Sequence, residues 1–198
     1  DLHKEYRRQR QMCIRDRTNS LYSSCLLFAG AGNWLKNGNA TEKYGNGIVT
    51  ADEISRMDCR NVELVVLSAC FGGMNDAVLA KGFCGMVGGF AAAGVKYVIS
   101  CLWTADDFAS AVLMAEFYRQ YKDRKLSPPA ALRAAKKYLR RVTIQELEEK
   151  NWFDIALKNG ELSAEARDAV LALSNMPPKF APFNNEIYWA GFTCFRCN

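Results

Sequence analysis

Histidine is almost missing from this chain: among 198 residues there is one, His3. Nucleophilic chemistry by a thiol or hydroxyl needs a base within hydrogen-bond reach, so beyond the first few residues the commonest such base is lacking. Long apolar runs are missing too. None approaches the ~20 residues needed to cross a bilayer, and the first residues lack the charged-then-apolar pattern of a signal peptide. No membrane partner is therefore expected, and the expected location is cytoplasmic. Glycine spacing excludes the common nucleotide cradles: neither Gly72-Gly73 nor the run from Gly85 to Gly89 has P-loop or dinucleotide spacing. There is no internal repeat and no low-complexity segment in the main body. Metal-knuckle spacing occurs once, at Cys194-Phe195-Arg196-Cys197, without a second pair or a histidine. Two ligands do not close a zinc site, so no metal and no cofactor are expected.

What is present fits one soluble globular domain. Hydrophobic residues make up 49% and charged residues 24%, enough apolar material for a core without staples. The eight cysteines are Cys13, Cys25, Cys59, Cys70, Cys84, Cys101, Cys194 and Cys197. Several sit inside apolar runs, and with no secretion signal they read as buried thiols rather than a disulfide framework. The net charge is +5, but residues 1–17 hold six Lys/Arg and three Asp/Glu, a net of +3. That segment has no periodicity and meets an ordered-looking pattern abruptly at Thr18. It reads as a solvated charged tail foreign to the fold, not as a nucleic-acid arm. The expected organisation is a tail over residues 1–17 and one domain over residues 18–198, with no nucleic-acid partner.

Along the chain, Leu21–Ala29 is apolar and runs into Gly30-Ala31-Gly32-Asn33, a loop signal; a second loop follows across Lys36–Gly47. Thr50 with Glu53 has capping-box spacing and opens a short helix. Val62–Leu67 is a Val-rich run that fits a strand buried on both faces. A helix is expected over Ala77–Ala93, broken by Gly94, and a second buried strand over Val95–Trp103. Together these form a βαβ unit. Helices are expected over Phe108–Tyr121, Ser127–Arg141, Ile144–Lys158 (closed by Gly160) and Ser163–Ser174. Glu186–Phe195 reads as a closing strand. The fold class is α/β, a mainly parallel sheet flanked by helices.

In such sheets, sites form at the carboxyl ends of parallel strands. One expected strand end carries Cys70, followed by Phe71-Gly72-Gly73; the other carries Asp106 and Asp107. Backbone N–H groups exposed at a tight turn lower a thiol pKa and stabilise an oxyanion. An inert buried cysteine satisfies the same spacing. The aspartates equally suit a pocket for a basic side chain or the cap of the following helix. Trp103 reads as a core or pocket-wall aromatic, and Cys101 as packing.

Five segments resemble, in order, the motifs of one family. Ser24-Cys25-Leu26-Leu27-Phe28-Ala29-Gly30-Ala31-Gly32-Asn33 is similar to an S-x-L-x-L-A-G-A-N strand and loop. Gly47-Ile48-Val49-Thr50-Ala51-Asp52-Glu53-Ile54 is similar to G-I-L-T-A-x-E-I. Leu64-Val65-Val66-Leu67-Ser68-Ala69-Cys70 resembles a nucleophile strand. Gly94 through Asp107 resembles A-G-A-x-x-V-I-x-S-L-W-x-V-D-D, and Tyr188-Trp189-Ala190-Gly191-Phe192 resembles a terminal Y-W-A-x-F strand. The family is that of CHAT domains, caspase- and separase-like cysteine peptidases often fused to tetratricopeptide repeats.

The resemblance implies a caspase-like three-layer sandwich with a mainly parallel sheet. It also implies a Cys/His-dyad endopeptidase acting on a protein or peptide, in a parent that carries a tetratricopeptide-repeat region. Cys70 matches the nucleophile, and its backbone N–H would belong to the oxyanion hole. Asp107, with Asp106 and Trp103, matches a pocket for a basic residue. The family histidine lies in an H-G motif upstream of the segment matching Ser24–Asn33. No such motif is present, and His3 is not followed by glycine. The expectation is a domain truncated on its N-terminal side, its first strands and dyad histidine missing, and inactive in this form. Phe71 departs from the acidic residue usual after the nucleophile. The competing expectation is a catalytically dead caspase-like adaptor.

Overall fold

The computed structural model describes residues 24–38, 46–67, 85–103, 105–158 and 163–197. These fall into two compact units, one of residues up to Leu102 together with Phe195–Cys197, the other spanning Trp103–Cys194. The architecture is mixed α/β with two small sheets. No helix among the described residues is long and apolar enough to cross a membrane.

In the first unit, β1 (Cys25–Leu27) pairs antiparallel with β2 (Ile48–Thr50). Between them the expected loop at Gly30–Asn33 is instead helix α1, Ala31–Asn37. Gly30 (φ 101°) and Gly38 (φ 69°) both adopt left-handed backbone, so glycine here bounds a helical segment rather than replacing it. Thr50 ends β2 and caps α2 (Ala51–Ser55): the Glu53 N–H donates to Thr50 Oγ1 at 3.2 Å, and the Thr50 N–H donates back to Glu53 Oε2 at 2.7 Å. This is the capping box its spacing predicts.

β3 (Leu64–Leu67) lies parallel to β4 (Tyr97–Cys101), with Leu64 opposite Tyr97 and Leu67 opposite Ser100. The sheet order is β3-β4-β5, where β5 is Phe192–Arg196; its Phe195 and Arg196 belong to this unit. β3 and β4 are shorter than the apolar runs that announced them, and outside them Val62 is 38% exposed and Leu102 43%. Residues 85–92 are helical; the earlier part of the expected Ala77–Ala93 helix lies outside the described residues. That helix ends in a Schellman arrangement: the Gly94 N–H donates to Ala91 O and the Val95 N–H to Phe90 O, with Gly94 at φ 95°. The core joins Ala51 and Ile54 of α2 to Leu67, Met86, Val95 and Val98. Each large apolar side chain buried there contributes about 1.5–3 kcal/mol.

The second unit is helical apart from the start of β5. α3 (Asp107–Tyr118) leads directly into a π-helical turn, Arg119–Asp123. The helix expected to Tyr121 thus changes its hydrogen-bond pattern after Tyr118. α4 is Pro128–Leu139, with Ser127 at its N-cap and proline at the first helical position. The single helix expected over Ile144–Lys158 is two: α5 (Ile144–Glu149) and α6 (Trp152–Lys158). Asn151 between them has φ 57°, a left-handed conformation asparagine tolerates better than most residues. The break accompanies the stacking of Phe153 on Phe108, ring centroids 5.6 Å apart. α7 is Ala164–Ser174, capped by Ser163. The closing strand is shorter than Glu186–Phe195, since Glu186–Tyr188 forms a 3₁₀ turn capped by Asn185.

Phe108, Val112, Leu113 and Phe117 are buried on α3, and so is one acid, Glu116, at 6% exposure. The Arg119 guanidinium grips it through two hydrogen bonds of 2.8 and 2.6 Å, and Gln120 Nε2 donates to the same carboxylate at 2.6 Å. Burial pushes the Glu116 carboxyl up, but these donors outweigh it and hold the group below its ordinary value of 4.5.

Two adjacent glycines in the 85–92 helix separate packing from propensity. A Cβ on Gly89 would lie 2.6 Å from Ala51 O, whereas one on Gly88 would meet nothing within 4 Å. In urea unfolding, Gly88→Ala should therefore add up to about 1 kcal/mol, and Gly89→Ala should remove about 1–3 kcal/mol. Equal effects would reject the close approach of the helix to α2. For Glu116, a carboxyl with a depressed folded pKa contributes stability above pH 4.5 that is lost as pH falls through its folded value. Glu116→Gln should be less stable at neutral pH and should lose less stability on acidification below 4.5. Parallel stability–pH curves for the two proteins would show that the pairing is energetically idle.

Candidate active site

The parallel register sets the geometry of the edge where the family chemistry is expected. Leu67 and Ser100 are directly opposed, so β3 and β4 finish side by side. Neighbouring strands stand about 5 Å apart. Cys70 follows Leu67 by three residues and lies outside the described residues, as do its expected oxyanion N–H and Phe71-Gly72-Gly73. Cys101, the last residue of β4, is 4% exposed, in keeping with packing.

Ser100 was not singled out by sequence reasoning. It is fully buried, and its Oγ has no hydrogen-bond partner among the described residues. Such a group costs about 1–3 kcal/mol of desolvation if it stays unsatisfied. Only strand register could reveal it, since one serine in an apolar strand is unremarkable as sequence.

The acidic pair divides its labour. Asp106 is the N-cap of α3: the Ala109 N–H donates to its Oδ1 at 2.7 Å. Asp107 is the first helical residue; its side chain is exposed and engages no partner among the described residues. A carboxylate in the first turn of a helix is favoured by the helix dipole. The capping role belongs to Asp106, which leaves Asp107 uncommitted.

Trp103 is half-buried, and its Nε1–H donates to Ile187 O at 2.8 Å. That carbonyl is itself held in place, because the Ile187 N–H donates to Asn185 Oδ1 at 3.0 Å. The indole is thereby oriented by a turn 84 residues further along the chain. Asn185 could have been noticed as a turn-forming residue, but its link to Trp103 is purely tertiary. No group of three or more His, Cys, Asp or Glu among the described residues is arranged to hold a metal ion.

Comparison with family models places the chain in a cysteine-peptidase-like class: the CHAT domain model matches residues 17–196. The chain belongs to the CHAT domain family. No curated protein and no solved structure matched it.

The two aspartates should separate in a thermal or urea melt. Asp106→Ala removes a cap and should lower stability by about 1 kcal/mol. Asp107→Ala should stay within about 0.5 kcal/mol, as expected of an exposed side chain away from special features. Reversed values would exchange the assignments.

Proposed function

We propose that the chain is the cysteine-bearing part of a CHAT-type endopeptidase, with Cys70 as nucleophile and Asp107 as the selector of a basic residue. What supports this most directly is the match to the family over residues 17–196, with Cys70 three residues beyond the end of β3 in a parallel pair. In this reading β3 and β4 belong to a mainly parallel sheet of caspase-like layering. The Cys70 thiolate attacks the peptide carbonyl carbon. Backbone N–H groups, that of Cys70 included, stabilise the oxyanion. The C–N bond then breaks, the amine leaves with a proton, and water releases the acyl group from sulfur. Asp107 pairs with Arg or Lys of the substrate, and Trp103, its indole fixed by Ile187, serves as a pocket wall. Asp106 contributes by fixing the start of α3.

The proton steps need a base, and a positioned one contributes about 10²–10⁴-fold. His3 is the only histidine, and it lacks the following glycine of the family motif. The 198 residues alone are therefore proposed to be inactive, the dyad histidine being supplied by a longer parent. The same observation favours a second reading, a catalytically dead adaptor that keeps the fold for binding a partner.

An activity-based thiol probe with arginine at the specificity position tests both. In a parent carrying an upstream H-G histidine, labelling should fall to background in Cys70→Ala, and Asp107→Ala should cut the preference for arginine over glutamine at least 10-fold. Labelling that survives Cys70→Ala would reject the nucleophile. A parent without such a histidine, and without labelling, would select the adaptor.

A further inference from the structure

The small net charge outside the tail conceals a segregation. Residues 119–143 contain nine Lys/Arg and one Asp/Glu. The helical part of this segment sorts its charges by face. On α4, Ala131, Leu132, Ala135 and Leu139 are buried, while Arg133, Lys137 and Arg140 are exposed at spacings of four, three and seven residues, which share one helix face.

Beside this face lies an open groove of about 370 Å³ whose lining includes Glu116, Arg119, Lys137, Tyr138, Arg141 and Glu146. Its acids are committed. Glu116 is held by Arg119 and Gln120, and Glu146 closes a capping box, accepting from the Thr143 N–H at 2.9 Å. Two of its cations are not: Lys137 and Arg141 are exposed and form no ion pair or side-chain hydrogen bond among the described residues. The uncommitted charge in the groove is thus entirely positive.

We propose that this groove is a docking site for an acidic segment of a partner protein, its carboxylates meeting Lys137 and Arg141. Carboxylates fit the groove better than a nucleic acid does. The one aromatic in its lining, Tyr138, is already engaged: the Lys150 ammonium sits 4.4 Å from its ring centroid and donates to its hydroxyl at 2.8 Å. A base that stacked on this ring would have to compete with the Lys150 ammonium. The fixed carboxylates of Glu116 and Glu146 also interrupt the positive lining, which disfavours a continuous phosphate backbone but accommodates spaced carboxylates. The surface is independent of the chemistry assigned to Cys70, so it stands whether the protein is a peptidase or an adaptor.

Fluorescence anisotropy with a dye-labelled glutamate-rich 12-residue peptide tests the site on the intact chain. A glutamine-for-glutamate version of the peptide and a 12-nucleotide single-stranded oligothymidylate serve as competitors. The acidic peptide should bind, with an affinity that falls as salt is raised. The double variant Lys137→Glu/Arg141→Glu should weaken binding at least 10-fold, and Lys137→Gln/Arg141→Gln by an intermediate factor. Lys179→Glu, an exposed lysine outside the groove, should stay within twofold. Unchanged melting curves would confirm that both groove variants fold. The proposal is overturned if folded Lys137→Glu/Arg141→Glu binds as wild type does, if the glutamine peptide binds equally well, or if the oligonucleotide binds more tightly than the acidic peptide.

Discussion

The parallel pairing of β3 with β4 is the constraint on which the first unit rests. Val98 and Ile99, consecutive and therefore on opposite faces, are both fully buried and Leu67 nearly so, so β4 packs on both of its faces. The register is fixed before the strands begin: the Lys96 N–H donates to Val62 O and the Tyr97 N–H to Glu63 O. The Schellman turn at Gly94 delivers the chain from the 85–92 helix into β4 at that register. The Cys59 N–H donates to Ala93 O at 2.8 Å, tying the approach to β3 to the end of the same helix. Helix, turn and strand pair thus act as one packed unit.

The second unit solves a different problem. Its helices are short, and short helices are marginal in water without packing. Phe108 meets Phe153 and Phe183, and Phe183 meets Tyr188, so one aromatic cluster joins α3, α6 and the segment leading to β5. Side-chain caps at Asp106, Thr143 and Ser163 satisfy helix ends locally. The buried Glu116 pair is the exception to apolar packing, and its charge is matched from the π-helical turn that follows the helix.

Membership of the CHAT family places these features in a cysteine-peptidase-like context, in which Asp106 and Asp107 differ in their hydrogen bonding. The Asp106 carboxylate accepts from a backbone N–H and so serves the helix end. The exposed first-turn carboxylate of Asp107 has no such partner among the described residues. The basic face of α4 belongs to neither role. It was hidden at the level of composition because acidic residues elsewhere in the chain cancel it.

Features built from neighbours in sequence were legible in the sequence. Thr50 with Glu53, Ser163 before α7, Pro128 at the start of α4 and Gly94 as a helix stop all depend on contacts within a few residues, and each takes the expected form. The family motifs were legible for the same reason. Long-range features were not: the break at Asn151, the 3₁₀ turn at Glu186–Tyr188, the helix at Ala31–Asn37, the Trp103–Ile187 hydrogen bond and the buried Ser100 Oγ. Local propensities leave those choices nearly degenerate, differing by a kcal/mol or so. Packing energies of several kcal/mol from residues distant in the chain then decide among them. By itself, the order of residues determined the family, the caps and the positions of the candidate nucleophile and acids. Only the tertiary structure decided which acid caps and which stays free, and which charges remain unpaired, because those outcomes depend on partners brought together by folding.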